Sequence, residues 1–208
     1  NDTHTWEIKA IDNVGNVRSS SQTLTVVVDN TPPGNEDYYA RISNSDTRGF
    51  YATNTSNYFN PQNKITVEGW FKPSSINTSV NTTLMNLNNY ECDVDYSIYI
   101  TPTYQVKFYV GNVGTLTYNS SSFQLLNKWN HFAGVYDGNN LVLYMNGEQV
   151  AFLNVGQRLI TRNPFTYFKI GYKNCTGAGG YRFLGDLDEI RVWKYGRSQQ
   201  EILAGLYT

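Results

Sequence analysis

The stretch WNHFAGVYDGNNLVLYMNG, residues 129–147, constrains the fold of this chain more than any other segment. Aromatic and β-branched residues at 131–136 predict one strand, which the turn sequence at 137–140 ends. An apolar run at 141–145 predicts a second strand. Asn146 and Gly147 then predict a type I′ hairpin turn, because both central positions of that turn need a positive φ. With a return strand at 150–153, the segment predicts an antiparallel β meander.

Composition and charge narrow the classes of function. The chain has 208 residues, 40% of them hydrophobic, and a net charge of −1. Interspersed acids and bases leave no basic face of the kind that nucleic-acid binding needs, so we expect no nucleic-acid partner. The longest apolar runs are about five residues, far below the roughly 20 that span a bilayer, so we expect no membrane insertion. Because the chain begins with Asn1 rather than Met, we expect a mature or excised piece of a longer protein.

Cysteines and glycosylation sequons favour an extracellular or cell-surface setting. Cys92 and Cys175 are the two cysteines, and an even pair is consistent with a disulfide. Such a bond would close a loop of about 80 residues and stabilise the fold by roughly 4–5 kcal/mol. The alternative is two unpaired thiols that lie far apart. Sequons, which matter only if the host glycosylates them, occur at Asn1, Asn54, Asn77, Asn81, Asn119 and Asn174.

The chain divides near residue 34. Alternating apolar residues at 6–10 and 24–28 predict a two-stranded hairpin, and turn residues lie between them at 12–16. Pro32, Pro33 and Gly34 cannot continue a β ladder and predict a linker. Since an isolated hairpin is marginal in water, something must complete it. We therefore expect residues 1–33 to form a hairpin and linker, and residues 34–208 to form a larger domain.

Residues 36–208 contain about ten or more candidate strands, which short turns separate. The strongest is ITVEGWFK at 65–72, where Val67, Gly69 and Phe71 share one face. The only helical signal lies at 198–206, where Ser198 and Glu201 have the spacing of a capping box. The pattern predicts an all-β, two-sheet antiparallel jelly-roll sandwich with a short C-terminal helical turn.

Four motifs resemble those of laminin-G-like, concanavalin-A-like jelly-roll domains over residues 38–207. WNHFAGVYDGNNLVLYMNGEQVA and FLGDLDEIRVWKYGRSQQEI, at 129–151 and 183–202, carry most of the resemblance. ITVEGWFKPSS at 65–75 and YYARISNSDTRGFYATN at 38–54 add to it, although Ser43 and Asn44 stand where the family usually has Asp-Gly. The segment at 10–32 is similar to the last strands of immunoglobulin-like or fibronectin-like repeats.

The resemblance implies a structural calcium ion near the first strand of the domain. The matching positions are Asp46 and Asp188, with Asp186 as a further ligand. Calcium takes six to eight oxygen ligands, usually with carboxylates among them. The alternative is that Asp188 and Glu189 form hydrogen bonds with the backbone or with Arg191.

Catalysis is not expected. Asp186 and Asp188 lie two apart on a predicted strand, so their carboxylates would share one face roughly 6–7 Å apart. Glycosidases use such pairs, but GDLDEI lacks the flanking glutamates of the related jelly-roll glucanases. His4 and His131 are the two histidines, and His131 reads as a packing residue. No nucleophile motif lies beside either histidine.

Ligand binding without chemistry fits the sequence best. Two predicted loops, at 88–96 and 173–181, would lie side by side if Cys92 and Cys175 were bonded. Their aromatic and polar residues could stack on a sugar and bond its hydroxyl groups. Alternatively, the tyrosines cover strand edges. The candidate ligand-binding residues are Tyr90, Asp93, Asp95, Asn174 and Tyr181.

These observations predict a noncatalytic extracellular carbohydrate-binding or adhesion module whose partner is a glycan or a cell-surface protein. A second hypothesis is a structural subunit of a surface assembly. There, the N-terminal hairpin would join neighbouring subunits by β-strand addition, since an unfinished hairpin exposes unpaired edges.

Overall fold

The structure, a computed structural model, describes residues 3–11, 17–28, 38–43, 49–53, 59, 61–89, 93–163, 166–173 and 182–206. Within these residues the chain forms fourteen strands and two short helices. The strands are β1 (Thr3–Ile11), β2 (Val17–Val28), β3 (Tyr38–Ile42), β4 (Phe50–Thr53), β5 (Ile65–Ser75), β6 (Thr82–Asn88), β7 (Val94–Ile100), β8 (Gln105–Val110), β9 (Gly114–Asn119), β10 (Asn130–Tyr136), β11 (Asn140–Met145), β12 (Glu148–Asn154), β13 (Tyr167–Ile170) and β14 (Leu184–Trp193). The helices are α1 (Ser122–Leu125) and α2 (Gln199–Ala204).

The described strands form two sheets, as a jelly-roll sandwich requires. The eight-stranded sheet has the order β1-β2-β3-β14-β5-β10-β11-β12, and the six-stranded sheet has the order β4-β13-β6-β7-β8-β9. Almost all pairings are antiparallel. The exception is a short parallel pairing of β1 with the end of β14, where Ala10 lies opposite Val192. The predicted fold class is confirmed.

The core lies between the two sheets and is built from alternate residues of each strand. On β5, Val67 and Phe71 point into the core, and Glu68 and Trp70 point to the outer face, as the alternation predicts. Phe71 and Phe132 meet with their ring centroids 6.0 Å apart. Among the described residues, seven aromatic side chains are fully buried, namely Phe71, Tyr96, Phe108, Phe132, Tyr136, Phe168 and Phe183.

The meander predicted at 129–153 is confirmed. Its three strands are β10, β11 and β12, which pair in sequence order. The turn residues Asn146 and Gly147 have φ values of 53° and 81°, as a type I′ turn requires. His131 is buried and packs edge-on against Trp70 with the ring centroids 5.2 Å apart, so the prediction that it packs is also confirmed.

The N-terminal hairpin joins the larger sheet. All of β1 pairs with residues 17–25 of β2, and Val26 of β2 lies opposite Ala40 of β3. The hairpin therefore pairs with strands of its own chain. Its assignment to a separate immunoglobulin-like repeat, with a boundary near residue 34, stays a prediction.

The C-terminal helix covers part of the outer face of the eight-stranded sheet. Ser198 and Glu201 form the predicted capping box at the start of α2. Ile202 packs on four apolar side chains of β10 and β11, which are Ala133, Val135, Val142 and Tyr144. Helix α1 was not predicted. Among the described residues, neither helix has the length and hydrophobicity that crossing a membrane requires.

Substitution of Gly134 should disrupt the contact between the sheets. A Cβ atom at Gly134 would lie 2.7 Å from ring carbons of Phe108, which belongs to the opposite sheet. We expect Gly134→Ala to lower the free energy of unfolding by about 1–3 kcal/mol, since overpacking a dense core is costly. Urea unfolding measures the change.

Phe108→Leu provides the matched control for this contact. The smaller side chain leaves room for the new methyl group, so the double variant should lose less stability than the sum of the two single losses. Strictly additive losses of stability would show that the Phe108 ring is not what excludes a methyl group at residue 134.

Candidate functional site

A pocket of about 410 Å³ lies on the outer face of the six-stranded sheet. Strands β6, β7 and β8 form its floor, and residues beside them form its rim. We call it the sheet-face pocket. Its lining residues are mostly polar and include two tyrosines, one carboxylate and one lysine. They are Asn81, Thr83, Asp93, Val94, Ser97, Tyr99, Tyr109 and Lys173.

Strand alternation places the two tyrosines in the pocket. Ile98 and Phe108 point into the core, so their neighbours Tyr99 and Tyr109 point outward. Ser97 lies directly opposite Tyr109 on the neighbouring strand, and Tyr99 is therefore the diagonal neighbour of Tyr109. Both rings are half-buried. Burial, followed by the proximity of Tyr109, raises the pKa of Tyr99, so its hydroxyl group stays protonated at neutral pH.

Asp93 is an exposed carboxylate with a fixed position. Its backbone N–H donates to Asn89 Oδ1 at 2.9 Å, and its Oδ2 accepts from Asn89 Nδ2 at 3.0 Å. Asn89 is itself buried. Because these two bonds fix the backbone and the side chain of Asp93, its carboxylate has little freedom to move at the pocket. Such a group is suited to accept hydrogen bonds from hydroxyl groups of a ligand.

One lysine lines the pocket. It is Lys173, and burial lowers the pKa of its ammonium group. Lys169 does not line the pocket; it is 2% exposed and donates from Nζ to Asn88 Oδ1 at 2.9 Å. Burial, and then the charge of Lys173, lowers the pKa of Lys169 to about 8. The pocket therefore has an acceptor at Asp93 and a donor at Lys173.

Asp95 is not among the residues that line the pocket. The carboxylate is fully buried, and Oδ1 accepts from the backbone N–H of Asn163 at 3.1 Å and from its Nδ2 at 2.6 Å. Burial raises the pKa of Asp95 to about 6, against the opposing effect of the bonds to Asn163. This position makes Asp95 a support for the segment around Asn163.

Only part of the predicted ligand set can be located. Asp93 lines the pocket and Asp95 does not, whereas Tyr90, Asn174 and Tyr181 lie outside the described residues. So do Cys92 and Cys175, and the disulfide stays a prediction. Of the sequons, Asn77, Asn81 and Asn119 are exposed, and Asn81 lines the pocket. Asn1, Asn54 and Asn174 lie outside the described residues.

The predicted calcium ligands on β14 have protein partners. Asp186 Oδ1 accepts from Arg41 Nε at 2.7 Å, and Oδ2 accepts from Arg41 Nη2 at 3.3 Å. Asp188 Oδ1 accepts from the backbone N–H of Glu189 at 2.8 Å, and Glu189 pairs with Arg191.

Both oxygen atoms of Asp186 therefore already bind a cationic side chain. Among the described residues, no group of three or more potential metal ligands comes together. These residues fit a guanidinium group better than a calcium ion. Asp46 lies outside the described part of the chain, and the calcium site stays a prediction.

Sequence reasoning missed most of the sheet-face pocket. Thr83, Ser97, Tyr99, Tyr109 and Lys173 were not among the candidate residues. Alternation along 96–100 and 105–110 gives the outward direction of both tyrosines. The sequence alone does not show that these two strands are neighbours in register, which is what forms the pocket.

The fold and the pocket define a lectin-like β-sandwich. A sequence profile of the Laminin_G_3 family, described as the concanavalin A-like lectin/glucanases superfamily, matches residues 44–203. The chain belongs to this family, and the resemblance predicted from the sequence is confirmed. Pappalysin-1 of Mus musculus is 33% identical over 81 residues, which make up 39% of this chain and 5% of pappalysin-1. The chain thus spans a small part of that relative.

Solved structures share the fold at low sequence identity. The CBM40 domain of the Ruminococcus gnavus IT-sialidase, bound to α2,6-sialyllactose, has a TM-score of 0.60 and 20% identity, over 81% of this chain and 96% of that chain. Domain 4 of AbnA, an extracellular GH43 arabinanase of Geobacillus stearothermophilus in complex with arabinotriose, has a TM-score of 0.57 and 17% identity, over 86% of this chain and 80% of that chain.

Asp95→Asn should remove a pH dependence of stability. The pKa of Asp95 is raised from 3.8 to about 6, so the folded protein binds this proton more tightly than the unfolded chain does. Ionisation of Asp95 therefore lowers the free energy of unfolding as the pH rises from about 4 to about 6, by roughly 1–3 kcal/mol. Urea unfolding of both proteins at several pH values measures this.

The quantity to compare across pH is the difference in free energy of unfolding between the wild type and Asp95→Asn. Burial lowers the pKa of His131 to about 3, so this residue stabilises the fold as the pH rises through the same range. Its effect is common to both proteins and cancels in the difference. A difference that stays constant between pH 4 and pH 7 would contradict the buried state of Asp95.

Proposed function

We propose that this protein is a noncatalytic carbohydrate-binding module of an extracellular or cell-surface protein, and that the sheet-face pocket holds the sugar. One observation carries the proposal. Tyr99 and Tyr109 lie side by side on the pocket floor, with the carboxylate of Asp93 and the ammonium of Lys173 at its rim. Apolar ring surface beside directional polar groups is what recognition of a sugar requires.

Each group has a defined role in this proposal. The C–H face of a pyranose or furanose ring packs on Tyr99 and Tyr109, which already lose part of their hydration in the fold. Asp93 accepts hydrogen bonds from sugar hydroxyl groups, and Lys173 donates to a ring or hydroxyl oxygen. Thr83 and Ser97 lie on the floor and can bond the remaining hydroxyl groups.

The carboxylate count supports binding without hydrolysis. Glycoside hydrolysis usually needs two carboxyl groups that flank the scissile bond. Among the described residues that line the pocket, Asp93 is the one carboxylate. Asp186 and Asp188 lie on the other sheet, where each accepts a hydrogen bond from a protein donor.

The related folds give the proposal its context. Two structural neighbours, the CBM40 domain and the arabinanase domain, are solved with bound sugars. The predicted disulfide and sequons would suit an extracellular setting. Adhesion to a surface protein and self-association by strand addition are alternatives. For the latter, β2 already pairs with β3 of its own chain, so a donor role would require that pairing to open.

Tyr109→Ala should weaken binding about tenfold or more, because it removes ring contact worth roughly 1–2 kcal/mol. Tyr109→Phe keeps the ring and should bind nearly as well as wild type. A broad glycan array identifies the ligand, and calorimetry with that ligand compares the variants. Asp93→Asn and Lys173→Met should each reduce affinity.

Two outcomes would contradict this proposal. One is silence of the folded protein across the array, which would favour the structural alternative. The other is equal affinity of Tyr109→Ala and Tyr109→Phe, which would place the sugar elsewhere. Repeating the array with a chelator tests whether binding depends on calcium. Loss of binding on chelation would support a metal-dependent site.

A further inference from the structure

A second pocket, of about 430 Å³, lies at the end of the sandwich where β5 begins. Three segments line it, which are the residues just before β5, the turn between β10 and β11, and the loop that follows β12. We call it the end pocket. Its lining includes two cations, two amides and one large apolar side chain. The lining residues are Asn63, Lys64, Gly138, Gln157, Arg158 and Leu159.

The loop at 155–160 is fixed although it is not a strand. At its two ends, the backbone N–H groups of Val155 and Ile160 donate to carbonyls of neighbouring segments at 3.0 and 2.8 Å. Between them, Tyr136 Oη accepts from the N–H of Arg158 at 2.9 Å and donates to its carbonyl at 2.7 Å. Because Tyr136 is fully buried, it anchors the backbone of Arg158 to the core.

The guanidinium group of Arg158 is held as well. Its Nε donates to the carbonyl of Val155 at 3.0 Å. Among the described residues, no acceptor bonds its two Nη atoms, and neither Arg158 nor Lys64 forms an ion pair. The two Nη atoms are therefore available to a ligand, in the planar arrangement that binds two oxygen atoms of an oxyanion.

Lys64 supplies the second cation. Its stem packs beside the turn between β10 and β11, since a Cβ atom at Gly138 would lie 3.3 Å from Lys64 Cε. Gly138 has a φ of 99°, a conformation that side chains other than glycine rarely adopt. The turn therefore keeps free the space along which the lysine stem lies, and the ammonium group is one bond beyond Cε.

Carboxylates are scarce around the end pocket. The sequence has no Asp or Glu at 47–67 or at 149–185, the two stretches that contain the cations. Asp137 lies beside the third segment but does not line the pocket. Its Oδ1 accepts from the backbone N–H groups of Asn139 and Asn140 at 2.8 and 2.7 Å, and its Oδ2 accepts from Asn140 Nδ2 at 3.0 Å. The described lining thus carries two positive charges and no negative one.

We propose that the end pocket binds the phosphate monoester group of a phosphorylated sugar. Such a group carries a charge of about −1.5 to −2 near pH 7 and has three acceptor oxygens, so it matches two cations. The Nη atoms of Arg158 bind two of these oxygens, and the ammonium group of Lys64 binds the third. A sulfate ester or a sugar carboxylate carries one charge and would compensate the two cations only in part.

The size and lining of the pocket favour an organic ester over a free ion. Cavities of roughly 300–1,000 Å³ typically hold small organic ligands. Asn63 and Gln157 are both exposed, and their amide groups can bond the hydroxyl groups of a sugar. Leu159 is 58% exposed and offers apolar surface to the C–H groups of the sugar ring.

An NMR titration of the isotope-labelled protein at low ionic strength and about pH 7.5 tests this proposal. The matched probes are glucose 6-phosphate, mannose 6-phosphate, glucose 6-sulfate, glucuronic acid and glucose, and inorganic phosphate tests the free ion. We expect at least one hexose phosphate to shift the amide signals of residues 157–159. It should bind at least threefold more tightly than the sulfate, the uronic acid and inorganic phosphate, and glucose should leave these signals unchanged.

The variants locate the site. Arg158→Met should weaken binding of the hexose phosphate about tenfold or more. Arg158→Lys keeps the charge but not the pair of Nη donors, and should weaken binding several-fold. Lys64→Met should weaken binding about fivefold, whereas Lys64→Arg should stay within about threefold of wild type. The same NMR spectra show whether each variant is folded, which separates loss of the ligand contact from a fault in folding.

Lys128→Met is the matched control, because it removes a lysine charge at the opposite end of β5. The neighbouring Asn127 donates from its backbone N–H to the carbonyl of Pro73 at 2.8 Å, roughly 30 Å along the strand from Lys64. This variant should bind like wild type.

Four outcomes would overturn the proposal. They are silence of both hexose phosphates, binding of the sulfate or of inorganic phosphate as tight as that of the hexose phosphate, wild-type affinity of Arg158→Met, and a loss in Lys128→Met equal to that in Lys64→Met. The end pocket and the sheet-face pocket share no lining residue. Tyr109→Ala should therefore leave this binding unchanged, so the result is independent of the proposed function.

Discussion

The rest of the structure depends on one constraint, which is that successive side chains of each strand point alternately to the core and to the outer face. Each sheet gives every second side chain to one core, and the closeness of the two sheets is set by contacts such as that of Phe108 with Gly134. Alternation thereby directs polar and charged side chains to the two outer faces, and the sheet-face pocket lies on one of them.

The outer face of the eight-stranded sheet is closed at one end by a buried ion network. Glu68 is 1% exposed and accepts hydrogen bonds from Trp193 Nε1 at 2.8 Å and from Arg197 Nη1. Burial raises the pKa of Glu68, and the charge of Arg197 opposes this effect. Losing one partner of such a pair typically costs about 3–5 kcal/mol, so this network fixes the chain that leads into α2. The Arg41–Asp186–Lys72 row crosses the same sheet at the other end of β5.

The sequence predicts the fold where alternation and turn chemistry agree. Strands β5, β10 and β11 are read correctly because apolar residues on one face and turns such as Asn146–Gly147 point to the same register. Strand β6 has a weak strand pattern in the sequence for a physical reason. Asn86 and Asn88 lie on it, and asparagine is disfavoured in strands unless its amide finds partners. Here Asn86 Nδ2 donates to the carbonyl of Tyr172, and Asn88 Oδ1 accepts from Lys169.

The same limit applies to the candidate site residues. Asp186 carries the sequence signal of a calcium ligand, but its partner Arg41 comes from a strand about 145 residues earlier. Tyr99 and Tyr109 point outward by alternation, but only the pairing of β7 with β8 brings them together. Local patterns therefore give the direction of a side chain. The identity of its neighbours depends on strand order, which is a property of the whole domain.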